Sequence, residues 1–142
     1  MINFEFKKNY NINVVLAIIF GVIAVAITIV AIVIKSYYII ATDVIEFVVA
    51  GFFLYRYFNF KKQFLKFDES GFDGYVITVK GSKPMAINGN LNFIRSAHCE
   101  GHTLVLTNER GQDLKVYNLV DAKKATQEIN EFLNNHRTIK AE

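Results

Sequence analysis

Charge is absent from the chain between Val14 and Ile34. These 21 consecutive residues carry no ionisable side chain, and Gly21 and Thr28 are the least apolar among them. At about 1.5 Å per residue the run matches the thickness of a bilayer's hydrocarbon core. Many of its residues are Val or Ile, which favour strands, but a lone strand cannot satisfy its backbone in lipid. The run therefore reads as a transmembrane helix. Lys7 and Lys8 precede it, as in a signal peptide. It is nevertheless longer than a signal core, and no small-residue cleavage site follows Ile34, so a retained segment is expected.

A second apolar run, Tyr37 to Phe60, follows Lys35-Ser36 and is interrupted by Asp43, Glu46 and Arg56. Asp43-Val44-Ile45-Glu46 has the spacing of a capping box, with Asp43 as N-cap and Glu46 at N3, so the second helix is expected to span about 43–63. The alternative start, Tyr37, would carry both carboxylates into the bilayer, where ionisable groups are candidates for proton or cation handling. The first helix is expected over about 12–35, giving a two-helix transmembrane hairpin over residues 1–63.

Small residues recur along the first helix at Ala17, Gly21, Ala24, Thr28 and Ala31, with spacings of 4, 3, 4 and 3. Such a stripe lets a second helix approach closely, and Ala50 and Gly51 are the counterpart on the second helix. The stripe serves either the hairpin itself, self-association, or another membrane subunit.

From Phe64 onward the pattern shortens into alternating segments separated by turns. Asp68-Glu69-Ser70-Gly71 reads as a type I turn. Tyr75, Ile77 and Val79 alternate as in a half-buried strand, and Gly81-Ser82-Lys83-Pro84 is a loop. Asn88-Gly89 predicts a hairpin joining Met85–Ile87 to Asn90–Ser96. Glu100-Gly101 and Asn108-Glu109-Arg110-Gly111 mark two more turns. About six short strands in a meander are expected. The period then changes: Leu119, Ala122, Ala125, Ile129, Phe132 and Leu133 share a helical face, with Asn118 or Asp121 as the cap. The fold class is a membrane α-helical hairpin plus an α+β domain over 64–142, an antiparallel sheet or partly open barrel capped by a C-terminal helix.

That meander and helix resemble the pleckstrin-homology-like superfold, and the layout resembles small bacterial membrane proteins with two transmembrane helices and a cytoplasmic domain of that kind. Phe64-Leu65-Lys66-Phe67-Asp68-Glu69-Ser70-Gly71-Phe72 is similar to the family's opening strand and turn. Ile87-Asn88-Gly89-Asn90-Leu91-Asn92-Phe93-Ile94 is similar to its central strand, with Asn88 and Asn90 where the family often has Trp and Asp. The resemblance implies a binding or assembly scaffold without shared catalytic residues. For some relatives it implies resistance or immunity to membrane-active peptides.

Of the chain's 142 residues, 52% are hydrophobic and 20% charged, and the net charge is +3. Residues 1–63 hold six Lys/Arg against three Asp/Glu, whereas residues 64–142 hold ten of each. The soluble part is thus neutral, which argues against nucleic acid as a partner. The basic excess flanks the hairpin. The positive-inside rule then places both termini in the cytoplasm, and the resemblance to bacterial membrane proteins implies the inner (cytoplasmic) membrane. Tyr10, Tyr55 and Tyr57 would mark the inner interface, and Tyr37 and Tyr38 the outer one. Lys7, Lys8, Lys61, Lys62 and Lys66 are expected to anchor at anionic lipid headgroups. Lys80, Lys83 and Arg95 are further candidates for headgroup contact.

The densest ligand cluster is His98-Cys99-Glu100-Gly101-His102, where Cys99 and His102 could face each other across a turn and share a metal. A structural zinc site needs four ligands, so no metal is expected. No nucleophile–base set, phosphate loop or dinucleotide motif is present in the sequence. The chain reads as a non-enzymatic membrane-anchored interaction or assembly module without a cofactor, its partners being membrane lipids and other membrane subunits or copies of itself. Immunity against a membrane-active toxin, and ion or proton conduction by an oligomer lined by Asp43 and Glu46, are the alternatives.

Overall fold

The computed structural model describes residues 1–141, which form two compact units. One is the helical hairpin Lys8–Lys61; the other joins Met1–Lys7 to the chain from Lys62 onward.

The hairpin consists of α1 (Asn11–Val33) and α2 (Tyr37–Lys61). Both are long and apolar enough to cross a membrane. The first ends in a Schellman closure: Ser36 N–H bonds Ala31 C=O at 3.1 Å and Lys35 N–H bonds Ile32 C=O at 3.3 Å. Lys35 takes the left-handed conformation (φ 54°) that this closure requires, a position more often filled by glycine. The chain therefore reverses within Ile34–Ser36, and α2 begins directly at Tyr37. The expected start at Asp43 is corrected: Asp43 and Glu46 lie inside α2 and make no capping box.

The second unit opens with β1 (Ile2–Asn3), which precedes the hairpin in sequence. It pairs antiparallel with β2 (Phe64–Asp68), Ile2 opposite Phe67. The sheet continues through β3 (Gly71–Val76) to β4 (Met85–Gly89), in the order β1-β2-β3-β4. Asp68 fixes the β2–β3 turn, its Oδ1 accepting from Ser70 N–H (2.9 Å), Gly71 N–H (3.1 Å) and the Ser70 hydroxyl. Residues 4–7 extend the N-terminal connection. Phe4 N–H bonds Leu65 C=O, Lys7 N–H bonds Asn118 C=O, and Val120 N–H bonds Glu5 C=O, at 2.7–3.0 Å.

The second sheet has the order β5 (Ile94–Glu100), β6 (Thr103–Asn108), β7 (Asp113–Val116), all antiparallel. Helix α3 (Ala122–Ala141) follows, with Asp121 Oδ1 accepting from Lys124 N–H at 3.0 Å as its cap. Ala125, Ile129 and Leu133 are buried from α3 against Leu65, Phe67, Val76, Leu104, Leu106 and Val116 of the sheets and Leu91 of the turn between them. The two sheets and the apolar helix face thus share one core.

One predicted turn is absent. Asn88 and Gly89 do not form a hairpin but end β4, paired with Asp73 and Phe72 of β3. The Phe72 ring lies over Gly89 so closely that a Cβ there would sit 2.6 Å from it. The chain turns afterwards, through Asn90 and the 3-10 turn Leu91–Phe93, whose cap is Asn90 Oδ1. Sheet pairing with β3 outweighs the local preference of Asn-Gly for a tight turn.

Candidate functional site

The hairpin's facing surfaces follow from helical spacing. Helix α1 buries Asn13, Ala17, Ala24 and Ala31, with Gly21 and Thr28 half-buried on the same stripe. Helix α2 answers with buried Asp43 and Ala50 and half-buried Glu46, Phe53 and Tyr57, spaced 3, 4, 3 and 4 residues apart in chain order. Ala24 is fully buried, so the small-residue stripe is occupied by α2 of the same chain. Phe20 and Phe53 stack with ring centroids 5.8 Å apart, and Tyr10 meets Tyr57 edge-on at 5.6 Å. Gly51 departs from the expected counterpart pair, because it is exposed and a Cβ on it would touch nothing within 4 Å. Ala50 alone fills that role, since adjacent helix positions are turned about 100° apart.

Polar side chains are concentrated in this seam. The Thr28 hydroxyl bonds Asp43 Oδ2 across the two helices, and Thr28 Oγ1 also lies 3.0 Å from Ala24 C=O. Asp43 is only 4% exposed. Its second oxygen, Oδ1, and Glu46 Oε2 are buried without a hydrogen-bond partner among the described residues. Neither carboxyl takes part in an ion pair among those residues. An orphaned buried acceptor costs about 1–3 kcal/mol, so this cluster calls for a physical explanation.

Two other groups are less convergent. The β5–β6 turn is Gly101-His102, flanked by the pair Glu100–Thr103, one residue later than a Cys99–His102 pairing requires. Gly101 has φ 63°, the positive value a two-residue hairpin needs at its first central position. Cys99 therefore lies opposite Leu104, and its thiol bonds Gly101 C=O at 3.2 Å. His98 Nε2 approaches Glu100 Oε1 at 3.5 Å, and His102 is exposed in the turn. Among the described residues no three His, Cys, Asp or Glu side chains are grouped to hold a metal ion.

The expected headgroup anchors are dispersed. Lys8, Lys61 and Lys62 are exposed and Lys7 half-buried, while the Lys61 ammonium sits 5.7 Å from the Tyr57 ring centre. Lys66 pairs instead with Asp73 across β2 and β3 at 3.9 Å. Lys80 and Lys83 are exposed on the loop after β3, and Arg95 is exposed on β5.

No protein family, curated protein or solved structure matches the chain.

The sequence reading missed several polar side chains that the fold uses. Asn130 of α3 accepts from Ala97 N–H at 2.9 Å and donates to Ala97 C=O at 2.8 Å, completing the outer edge of β5. Arg137 donates to the carbonyls of Ile94 and Arg95 on the same strand. These two residues lie seven apart, hence on one helix face, a signal visible in the sequence once β5 is known to be an edge. Lys115 bonds Glu100 at 2.7 Å across the second sheet. That hydrogen bond, with the attraction of the ammonium, holds the Glu100 carboxyl below its ordinary value and raises Lys115.

Proposed function

We propose that the chain is a membrane-anchored interaction or assembly module, a two-helix transmembrane hairpin inserted into a pleckstrin-homology-like cytoplasmic domain. The carrying observation is the split soluble unit: Met1–Lys7 belongs with the chain from Lys62 onward. Strand β1 can pair with β2 only if both ends of the hairpin emerge in the same compartment, which demands an even number of crossings. The basic residues flanking the hairpin favour the cytoplasm for both ends. The apolar side chains of the hairpin point outward: Ile18, Val22, Ile29 and Ile32 on α1 and Ile45, Val48 and Phe52 on α2 are all more than half exposed. A core helix of a soluble domain buries such residues; a membrane helix presents them to lipid.

The domain's strand order, four plus three antiparallel strands closed by one helix, supports the pleckstrin-homology-like reading. Its polar side chains support a scaffold. Asp68, Asn90, Asn108, Asp121, Asn130 and Arg137 all bind backbone groups and hold turns, a helix cap and a strand edge. Strand β4 ends its sheet and offers a free edge to an added strand from a partner.

Two measurements test this reading. Native mass spectrometry after gentle detergent extraction is expected to show a complex with other membrane subunits or with itself, and a strictly monomeric species refutes the assembly role. Topology is read with a membrane-impermeant maleimide on intact cells. The sole cysteine, Cys99, should label only after lysis, whereas Ser36→Cys in a Cys99→Ser background should label from outside. Labelling of Cys99 in intact cells overturns the orientation.

A further inference from the structure

We propose that Thr28, Asp43 and Glu46 form a proton-binding site between α1 and α2, in which Asp43 is a neutral acid donating its hydrogen to Thr28 Oγ1. The argument starts from counting hydrogens. A threonine hydroxyl has one, and Thr28 Oγ1 is within bonding reach of two acceptors, Ala24 C=O and Asp43 Oδ2. Helical threonines commonly give that hydrogen to the carbonyl four residues back. The contact with Asp43 then needs a hydrogen of its own, and the carboxyl is the group that can carry it.

Burial points the same way. Asp43 is 96% buried, and its Oδ1 and the Oε2 of Glu46 have no hydrogen-bond partner among the described residues. Three residues apart on one helix, the two carboxyls are neighbours. As two anions they would repel each other where charge is costly. Among the described residues no Lys, Arg or His pairs with either carboxyl. Helix α1 carries no titratable side chain from Asn11 to Val33. Along α2 the next charged residue after Glu46 is Arg56, about 20 Å from Asp43 along the helix axis. Lys35 is exposed in the connection, and Tyr37 and Tyr38 are exposed at the start of α2.

A proton fits where a metal ion does not. Calcium takes six to eight oxygens and magnesium an octahedral set. Three side chains, one of them a hydroxyl already engaged, fall short of either. A proton taken from the aqueous phase forms one O–H bond on Asp43, removes one negative charge, and gives the Thr28–Asp43 contact its missing hydrogen. A second, on Glu46, would leave the seam neutral.

The proposal rests on the hairpin lying in a bilayer, and its test separates the two claims. The full-length protein in phosphatidylcholine–phosphatidylglycerol liposomes, carrying isotope-labelled aspartate, is measured by infrared spectroscopy at about pH 7. There a solvated aspartate is in its acid form only about one part in a thousand. One aspartate of the wild-type protein is expected to show the acid carbonyl band, lost in Asp43→Asn, kept in Asp68→Asn, and shifted in frequency by Thr28→Val. Dicyclohexylcarbodiimide, which attacks the acid form in apolar surroundings, is expected to modify Asp43 or Glu46 and no carboxyl of the soluble unit. Because the wild-type spectrum and the carbodiimide map decide the matter, a variant that fails to fold does not rescue the idea. A wild-type aspartate signal entirely in the carboxylate band, with the helices intact by circular dichroism, overturns it. Release of the protein from membranes by alkaline carbonate would instead refute the membrane anchor itself.

Discussion

Phe4 is the most informative residue to change, because it tests whether the N-terminal segment belongs to the same fold as the chain from Lys62 onward. Its ring meets Phe67 edge-on at 6.0 Å, and Phe67 is fully buried in the core. Phe4 itself is partly buried against that core, and its N–H bonds Leu65 C=O at 3.0 Å. A fully buried phenylalanine cut to alanine costs about 3–5 kcal/mol, and an edge-to-face pair contributes about 1 kcal/mol of such a loss. For a half-buried ring the expected cost of Phe4→Ala is about 2 kcal/mol. In a domain of under 100 residues this lowers Tm by about 8–16 °C. The assay uses a soluble chain in which a flexible Gly/Ser linker of about twelve residues replaces residues 8–61, spanning about 20 Å on average. Thermal and urea unfolding of this chain are compared with Phe4→Ala, with Glu5→Ala as an exposed control, and with residues 62–142 alone. Glu5→Ala should shift stability by less than about 0.5 kcal/mol. Residues 62–142 alone should be the least stable, with Leu65 and Phe67 deprived of their neighbour. If Phe4→Ala melts within 2 °C of the parent, or 62–142 alone is equally stable, the N-terminal segment is not part of the fold.

Other substitutions probe the domain where side chains meet backbone. Asn130→Ala leaves Ala97 N–H and C=O without their partner on the edge of β5. A loss of about 1–3 kcal/mol by urea unfolding is expected, together with self-association seen by sedimentation; no change in either refutes the edge-capping role. Gly89→Ala drives a methyl to 2.6 Å from the Phe72 ring and should cost about 1–3 kcal/mol, whereas a true Asn-Gly hairpin turn at this position would leave Phe72 unaffected in near-ultraviolet spectra. The Glu100–Lys115 pair sets a pH window. Glu100 lies below its ordinary 4.5 in the folded state, so its contribution is present above that value and is lost as pH falls through the depressed one. Lys115 lies above its ordinary 10.5, so its contribution is present below that value and is lost as pH rises beyond the raised one. Glu100→Gln should therefore flatten both limbs of the stability–pH curve, and a curve identical to the parent's counts against the pair.

Wherever a single element explains its own pattern, the sequence was readable. The uncharged run gave α1, and the face Ala122, Ala125, Ile129, Leu133 gave α3, capped by Asp121, one of its two candidates. The turns at Asp68–Gly71 and Asn108–Gly111 were also legible, because Asp68 and Asn108 bind backbone N–H groups within four residues. Strand β1 was overlooked although its signal is present: Ile2, Phe4 and Phe6 alternate with Asn3, Glu5 and Lys7, and the burial alternates with them through Phe6. What the sequence hides is the partner. Phe67 stands opposite Ile2 after an intervening hairpin of two long helices, so no local rule connects them.

The two misread motifs fail for one physical reason, and it bears on the seam between α1 and α2. Asn88-Gly89 is a good tight turn and Asp43-x-x-Glu46 a good capping box when only neighbouring residues compete. Each is overridden by hydrogen bonds made outside the motif. For Asn88-Gly89 the competitor is the β3 ladder. For Asp43 it is the Schellman closure of α1, which starts α2 at Tyr37 and carries the carboxylate about 9 Å along its helix to meet Thr28. A cap would have kept Asp43 in water, with its oxygens spent on free N–H groups. Within α2 those N–H groups bond to the preceding turn, so the carboxyl must find hydrogens elsewhere. Thr28 has one to give and Ala24 C=O competes for it. The loss of the cap thus turns a structural role into a chemical one. An acid group is left in an apolar seam with more acceptors than donors, and added protons are the simplest species that balance it.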